Sequence, residues 1–296
     1  MTGENLIKTL LIWLLSKVAW GAACCGNGGN FPALITGDVQ FQNSLYVSLQ
    51  NRFADSSDDG SYSTRPSENQ EVIRTFALRS SYSLSPFFQL GFEVPVTYRS
   101  TTSEKHTGPG DVSFQAAYEI LPEVEFSYWK PRAFTYIQFG LPTGGSRFDS
   151  SRPLQLDANG VGFFNLNLGI LVLKEWGIFD FSLSPKITYF FSRSFLGRNH
   201  NPSFGGSAQL GVGIQPFNSV RIGTSVLYTK SPSVEIEGFQ NPTLSSEQIA
   251  LVTSLSFSFS DWNLNLSYSD SGWFSGNRNA PLSQVVGLQL THFVLY

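Results

Sequence analysis

Side chains that could perform catalysis or bind a metal are scarce in this chain. Two of its three histidines, His106 and His200, fall in predicted loops with no cysteine or clustered carboxylates nearby, and the third is His292. A zinc site needs several His, Cys or carboxylate ligands at short spacings. The GxSxG, phosphate-loop and CxxC patterns are also missing from the sequence. We therefore expect no metal, no cofactor and no catalytic residue, and we predict that the protein is not an enzyme.

Charged residues on the polar faces of predicted strands suggest a different chemistry. If a hairpin pairs Leu78 with Val94, the same register sets Arg79 opposite Glu93 near the middle of both strands. The other residues of this predicted lumen constriction are Lys186, Asp180 and Arg221, and Glu119 also faces inward. The pairs could brace a small barrel or select solutes. Because their signs roughly cancel, a preference for anions or cations stays open.

Three polar residues interrupt the apolar faces of predicted strands: Ser80, His292 and Asn43. In a closed barrel the last strand lies beside the first, so the three would form one patch facing lipid. A Ser–His–Asn arrangement catalyses hydrolysis when the histidine lies between the other two. Asn43 would occupy that position here, which favours a hydrogen-bonded polar patch or self-association over catalysis.

The two cysteines, Cys24 and Cys25, are adjacent and cannot form a disulfide framework. Residues 1–23 contain an apolar run and end in small residues, which predicts a cleaved signal peptide. A short membrane anchor is the alternative, although a spanning helix needs about 20 apolar residues. Small residues before Cys24 make it a candidate for lipidation, and plain cleavage near Ala23 is the other interpretation.

The composition excludes several protein classes. Charged residues make up 14% of the 296 residues and aromatic residues 15%, whereas a soluble domain carries about 25% charged residues. With a net charge of −3, the chain lacks the basic excess that nucleic-acid binding requires. No polar linker divides it. We expect a periplasmic N-terminal segment over 24–37, which is a candidate plug, and one domain over 38–296.

Apolar and polar residues alternate along most of this domain, which predicts β-strands. One example is the segment 88–99, in which every second residue from Phe88 to Tyr98 is apolar. About twelve such segments occur, at 39–50, 75–84, 88–99, 111–120, 133–141, 164–172, 179–191, 208–214, 220–228, 249–259, 262–269 and 286–296.

The connections between predicted strands alternate in length. Long connections follow the odd-numbered strands, at about 51–70, 100–109, 142–159, 192–203, 231–246 and 270–283. Shorter ones lie near Pro86, Glu175, Asn218 and Asp261, and the segment 121–131 suits a position at the membrane surface. Long outer loops and short periplasmic turns are typical of outer-membrane barrels. An even strand count places both termini in the periplasm.

A soluble β-sandwich or lipocalin-like barrel would also alternate, with its charged residues facing water. Here the polar face is mostly Gln, Ser, Asn, Gly and Thr, which is typical of a confined lumen. Aromatic residues at strand ends fit the two girdles of a membrane barrel. We therefore predict an all-β, transmembrane, antiparallel up-and-down β-barrel of about 12 strands in the bacterial cell outer membrane.

Two short motifs carry a family resemblance. Their residues are Gly108, Gly110 and Asp111 in the first, and Pro142, Thr143 and Gly144 in the second. They resemble the GxGD and PTG signatures of transporter-like outer-membrane barrels grouped under the phenol-degradation meta-pathway name. The predicted mature start, Cys-Cys-Gly, is similar to that of related uncharacterised secreted barrel proteins. From the residues alone, both motifs predict loop-to-strand turns, since Gly permits positive φ and Pro ends strand pairing.

Two functions are compatible with these predictions. The first is a channel or transporter for small polar or hydrophobic solutes, with the outer-membrane lipid bilayer and an unassigned solute as partners. The second is a closed barrel that serves as a structural or surface-interaction protein through its outer loops. In that case side chains or the segment 24–36 would fill the lumen.

Overall fold

The computed structural model of the protein describes residues 34–35, 39–65, 70–123 and 127–295. The predicted signal peptide and Cys24 lie outside the described residues. The strands are β1 (Val39–Ser56), β2 (Tyr62–Thr64), β3 (Glu71–Ser85), β4 (Phe88–Ser100), β5 (Lys105–Pro109), β6 (Val112–Leu121), β7 (Arg132–Leu141), β8 (Asn165–Trp176), β9 (Phe179–Phe190), β10 (Arg193–Phe195), β11 (Arg198–Pro202), β12 (Gly205–Phe217), β13 (Val220–Ser231), β14 (Val234–Ile236), β15 (Ser246–Phe259), β16 (Trp262–Asp270) and β17 (Pro281–Leu295). In these ranges, no helix has the length and apolar character needed to cross a membrane.

Twelve of these strands form a closed antiparallel barrel. Its strands, in order around the wall, are β1, β3, β4, β6, β7, β8, β9, β12, β13, β15, β16 and β17. Pairing of β17 with β1 closes the barrel, with Leu45 opposite Leu290 near the centre of that pairing. The predicted fold class and strand number are confirmed. The β3–β4 hairpin also has the expected register, with Leu78 opposite Val94.

The two faces of the wall differ as the alternation predicts. On β12, Leu210 is 50% exposed and Val212 is 52% exposed, whereas Gln209, which directly precedes Leu210, is only 3% exposed. Apolar side chains point out of the barrel and polar ones point in, which is the reverse of a soluble protein and typical of a transmembrane barrel. An apolar exterior of this kind is stable in contact with lipid.

The barrel has a long-loop end and a short-turn end. At the long-loop end, β2 pairs with β1 and β5 pairs with β4, so both hairpins continue the wall outward. Strands β10, β11 and β14 form a separate three-stranded sheet there. The third long loop, residues 142–164, joins β7 to β8 and contains a 3-10 turn at Pro153–Gln155.

Two buried apolar clusters lie inside an otherwise polar barrel. The first, toward the short-turn end, consists of Leu34, Ala117, Phe134, Tyr136, Leu171 and Leu173. The second, at the long-loop end, consists of Phe163, Phe190, Phe195 and Val234, with Phe148 and Ile236 packed against it. The alternation rule assigned outward apolar residues correctly but did not predict these inward ones.

Candidate functional site

The first group of predicted lumen charges lies midway along the barrel wall. Arg79 and Glu93 are directly opposite each other on β3 and β4, with 3.0 Å between Arg79 Nε and Glu93 Oε2. The Arg79 guanidinium also lies 4.8 Å from the centre of the Tyr46 ring. Lys186 on β9 faces the same lumen, and the Glu93 charge acts on it. These three charges therefore share one electrostatic environment.

The second group lies closer to the short-turn end. Arg221 on β13 donates to Asp180 on β9 through two hydrogen bonds, at 2.7 Å from Nε and 2.5 Å from Nη2. Strand β12 separates the two residues, so the arginine crosses it above Gly213. A Cβ at Gly213 would lie 2.5 Å from Asp180 Oδ2. The five predicted constriction residues therefore form two separate groups, and this bidentate pair links the two strands that flank β12.

A charge cluster that the sequence reasoning missed lies at the long-loop end. The carboxylate of Glu71 is 2.5 Å from Arg99 Nε and 3.1 Å from Arg52 Nη1. Arg99 Nη1 also donates to the carbonyl oxygens of Gln155, at 2.8 Å, and Ala158, at 2.5 Å. These bonds hold the third long loop against the inner wall. Arg99 is the last residue of the alternating segment 88–99 and lies on its polar face. That position in the sequence pattern could have predicted an inward-facing charge.

The two family-like motifs meet at the base of this loop. The Asp111 carboxylate accepts hydrogen bonds from the backbone N–H of Gly144, at 3.0 Å, and of Val161, at 2.6 Å. The Thr143 hydroxyl donates to the Gly110 carbonyl at 2.7 Å. Burial raises the pKa of the Asp111 carboxyl despite the bonds it accepts. Gly108 and Pro142 flank this junction, so the two motifs together fix both ends of the third long loop.

Two residues of the N-terminal segment lie inside the barrel. Leu34 packs in the first apolar cluster against inward-facing residues such as Phe134 and Leu171. The Ile35 N–H donates to Gln89 Oε1 at 2.6 Å, and Gln89 Nε2 donates back to the Ile35 carbonyl at 3.1 Å. Gln89 therefore satisfies both backbone groups of Ile35. The adjoining residues 26–32, which the plug hypothesis concerns, lie outside the described residues.

An open cavity of about 330 Å³ occupies the lumen toward the long-loop end, and we call it the outer cavity. It lies between the third long loop and strands β9, β12 and β13. Its lining residues are Arg147, Phe148, Gly160, Val161, Phe163, Lys186, Thr188, Phe190, Gly206, Ser207, Thr229, Lys230, Ser231, Pro232 and Val234. Basic residues are present in this lining, whereas acidic ones are absent among the residues described.

The predicted lipid-facing patch forms with Asn43 in the middle. Asn43 pairs with His292 on β17 and with Ser80 on β3, and the Ser80 hydroxyl donates to Asn43 Oδ1. The His292 ring packs against Trp262, with 4.5 Å between ring centres. This arrangement keeps His292 away from Ser80 and satisfies the serine locally. Elsewhere in the part of the chain that the structure describes, no group of His, Cys, Asp or Glu is placed to hold a metal ion.

Comparison with solved structures identifies the architecture. An outer membrane channel from Pseudomonas putida F1 matches with a TM-score of 0.73 at 13% identity, over 90% of this chain and 99% of that one. The fold is that of an outer-membrane β-barrel. The transport unit of the autotransporter AIDA-I from Escherichia coli matches with a TM-score of 0.50 at 9% identity, over 94% of this chain and 96% of that one. No protein-family profile and no curated protein sequence matches the chain.

Proposed function

We propose that this protein is an outer-membrane channel that passes small solutes through its lumen. The observation that carries the proposal is the charged and polar inner wall, with Arg79, Glu93 and Lys186 in one environment midway along it. Such groups replace part of the hydration shell of a passing solute. The likeness to the Pseudomonas channel in fold supports this assignment. Arg79, Glu93 and Lys186 would act on the solute, whereas Asp180 and Arg221 would brace the wall.

The proposal includes location and orientation. The barrel would lie in the outer membrane of a bacterial cell, with both termini and the short turns in the periplasm. Residues 1–23 would be removed as a signal peptide, and Cys24 stays a candidate for lipidation. The anchoring role of Asp111, Gly144 and their neighbours supports membership of the group that bears the GxGD and PTG signatures.

Two observations favour the alternative of a closed barrel that acts through its outer loops. Leu34 and Ile35 occupy the lumen toward the short-turn end, and the third long loop is held inward by Arg99. In the channel proposal these same segments act as restrictions that the solute passes or displaces. The two functions therefore differ in whether ions cross the folded barrel.

Planar-bilayer recording from the refolded mature chain tests the channel, with heat-shifted gel migration showing that the barrel has folded. We expect discrete conductance steps. Neutralising one residue of the Arg79–Glu93 pair leaves the charge of the other in the lumen. Arg79→Gln should therefore raise the cation-to-anion permeability ratio about twofold, and Glu93→Gln should lower it by a similar factor.

Arg198→Gln is the matched control, because Arg198 is exposed in an outer loop, and its permeability ratio should equal that of the parent chain. If a folded barrel showed no conductance steps, that result would contradict the channel and favour the closed barrel. Equal selectivity in all three variants would show that the Arg79–Glu93 pair does not act on the solute.

A further inference from the structure

The outer cavity contains basic side chains that have no hydrogen-bonded anion beside them in the described part of the chain. Lys186 and Arg147 both line it, and neither makes a hydrogen bond or ion pair with any residue that the structure describes. The Arg147 guanidinium lies 4.8 Å from the centre of the Phe148 ring, and the Glu93 charge acts on Lys186 from beyond hydrogen-bond distance. Lys230 lies 3.1 Å from Glu247, so its charge is balanced. Burial lowers the pKa of the Arg147 guanidinium, which is the effect expected of a cation removed from water without an anion beside it. An anion in the cavity would offset that cost.

The same cavity has an apolar side. Phe148 and Phe163 meet edge to face with 5.5 Å between ring centres, and Phe163 and Phe190 do so at 6.5 Å. All three rings line the cavity, together with Val234. A hydrated inorganic ion gains nothing from such a surface, whereas an apolar body gains about 25 cal/mol for each Å² that it buries.

We propose that the outer cavity binds a small monocarboxylate with a compact apolar body. The carboxylate would lie between Lys186 and Arg147, and the body would pack on Phe148, Phe163 and Phe190. The cavity volume of about 330 Å³ is at the lower end of the range for small-molecule sites, which limits the body to one or two rings or a short branched chain. The inference rests on the proposed channel, because it assigns this site to the solute on its path.

Equilibrium binding tests the site separately from conduction. The probe is 4-fluorobenzoate, titrated into the refolded, detergent-solubilised mature chain and followed by fluorine NMR. We expect saturable binding at least about tenfold tighter than that of neutral 4-fluorobenzyl alcohol, since charge-assisted contacts discriminate by about that factor. Cationic 4-fluorobenzylamine should not bind. Non-aromatic cyclohexanecarboxylate should displace the probe, because the site recognises an anion and an apolar body.

Three variants locate the site. Lys186→Gln and Arg147→Gln should each weaken 4-fluorobenzoate binding about tenfold. Lys105→Gln removes the same charge from an exposed outer strand and should leave binding unchanged. Heat-shifted gel migration confirms that each variant folds. Phe148→Leu keeps most of the side-chain volume, so it should weaken 4-fluorobenzoate binding less than the loss of either charge does.

The outcomes separate this inference from the channel. Equal binding of the acid, alcohol and amine, or equal loss in the Lys105→Gln control, overturns the carboxylate site even if the barrel conducts. Selective binding that depends on Lys186 and Arg147 supports the site. If the folded barrel is silent in a bilayer, that result overturns the channel, whatever the NMR titration shows.

Discussion

At the scale of single residues, the inner wall depends on glycine where neighbouring side chains lie flat across it. Gly213 leaves the space in which Arg221 reaches Asp180 over an intervening strand. Gly169 leaves similar room for the Tyr136 ring, which a Cβ at that position would meet. Glycine weakens a strand by its entropy, and its use here is explained by the close approach of other groups. At these two positions the inner wall is therefore a packed layer of side chains.

Gly213→Val tests this packing. The new side chain would enter the space of the Asp180–Arg221 pair and separate two buried charges, so we expect the free energy of unfolding to fall by about 3 kcal/mol. Urea titration of the barrel in lipid vesicles measures it. Val212→Ile, on the lipid face of the same strand, should change stability by less than about 0.5 kcal/mol. Equal stability of both variants would show that the ion pair does not need the glycine.

At the scale of elements, segments that are not part of the barrel wall enter the lumen toward both ends. The third long loop is fixed by Asp111 and Arg99. The N-terminal segment is held at Ile35 by Gln89 and at Leu34 by apolar packing. The loop is held by charged side chains, whereas Leu34 and Ile35 are held by apolar packing and by the Gln89 side-chain amide.

Deletion of residues 24–36 from the mature chain should raise the single-channel conductance, because it removes atoms from the lumen. We expect the conductance to increase about twofold, because the side chains that line a pore limit its conduction. Gln89→Ala, which removes both hydrogen bonds to Ile35, should give longer or more frequent openings. Gln248→Ala near the long-loop end serves as control. An unchanged conductance after the deletion would mean that the segment does not obstruct the path.

At the scale of the whole molecule, the barrel has the polarity expected in a bilayer. Leu210, Leu183 and Val226 occupy neighbouring positions on β12, β9 and β13, and all three are exposed on the outer wall. A continuous apolar exterior is costly in water and stable in lipid. The described charges near mid-depth, such as Arg79, Glu93 and Lys186, face the lumen.

Leu210→Arg measures this polarity. A charge at mid-depth on the lipid face should lower the free energy of unfolding in vesicles by about 2–4 kcal/mol. Leu196→Arg is the control, since Leu196 is 85% exposed at the long-loop end, and its stability should stay within about 0.5 kcal/mol of the parent. If Leu210→Arg were as stable as the control, the outer wall would not be in contact with lipid.

Much of this architecture was predictable from the sequence. A period of two assigns each residue to one face of a strand, so alternation gave the strands and the direction of Leu210. The Arg79–Glu93 register was also predictable, because a tight turn fixes the pairing of two adjacent strands. Both predictions rest on local geometry. They require no knowledge of how the barrel closes.

Other features were decided only by the tertiary structure. Asp180 and Arg221 meet across a strand that separates them, and Arg99 reaches the carbonyls of a loop that shows no periodic pattern. Ile35 pairs with Gln89 from a segment outside the barrel wall. Alternation specifies the face of a residue but not its partners. Those contacts depend on barrel closure, on glycine gaps and on the path of the loops, because side chains distant in sequence become neighbours only when the wall curves around a common lumen.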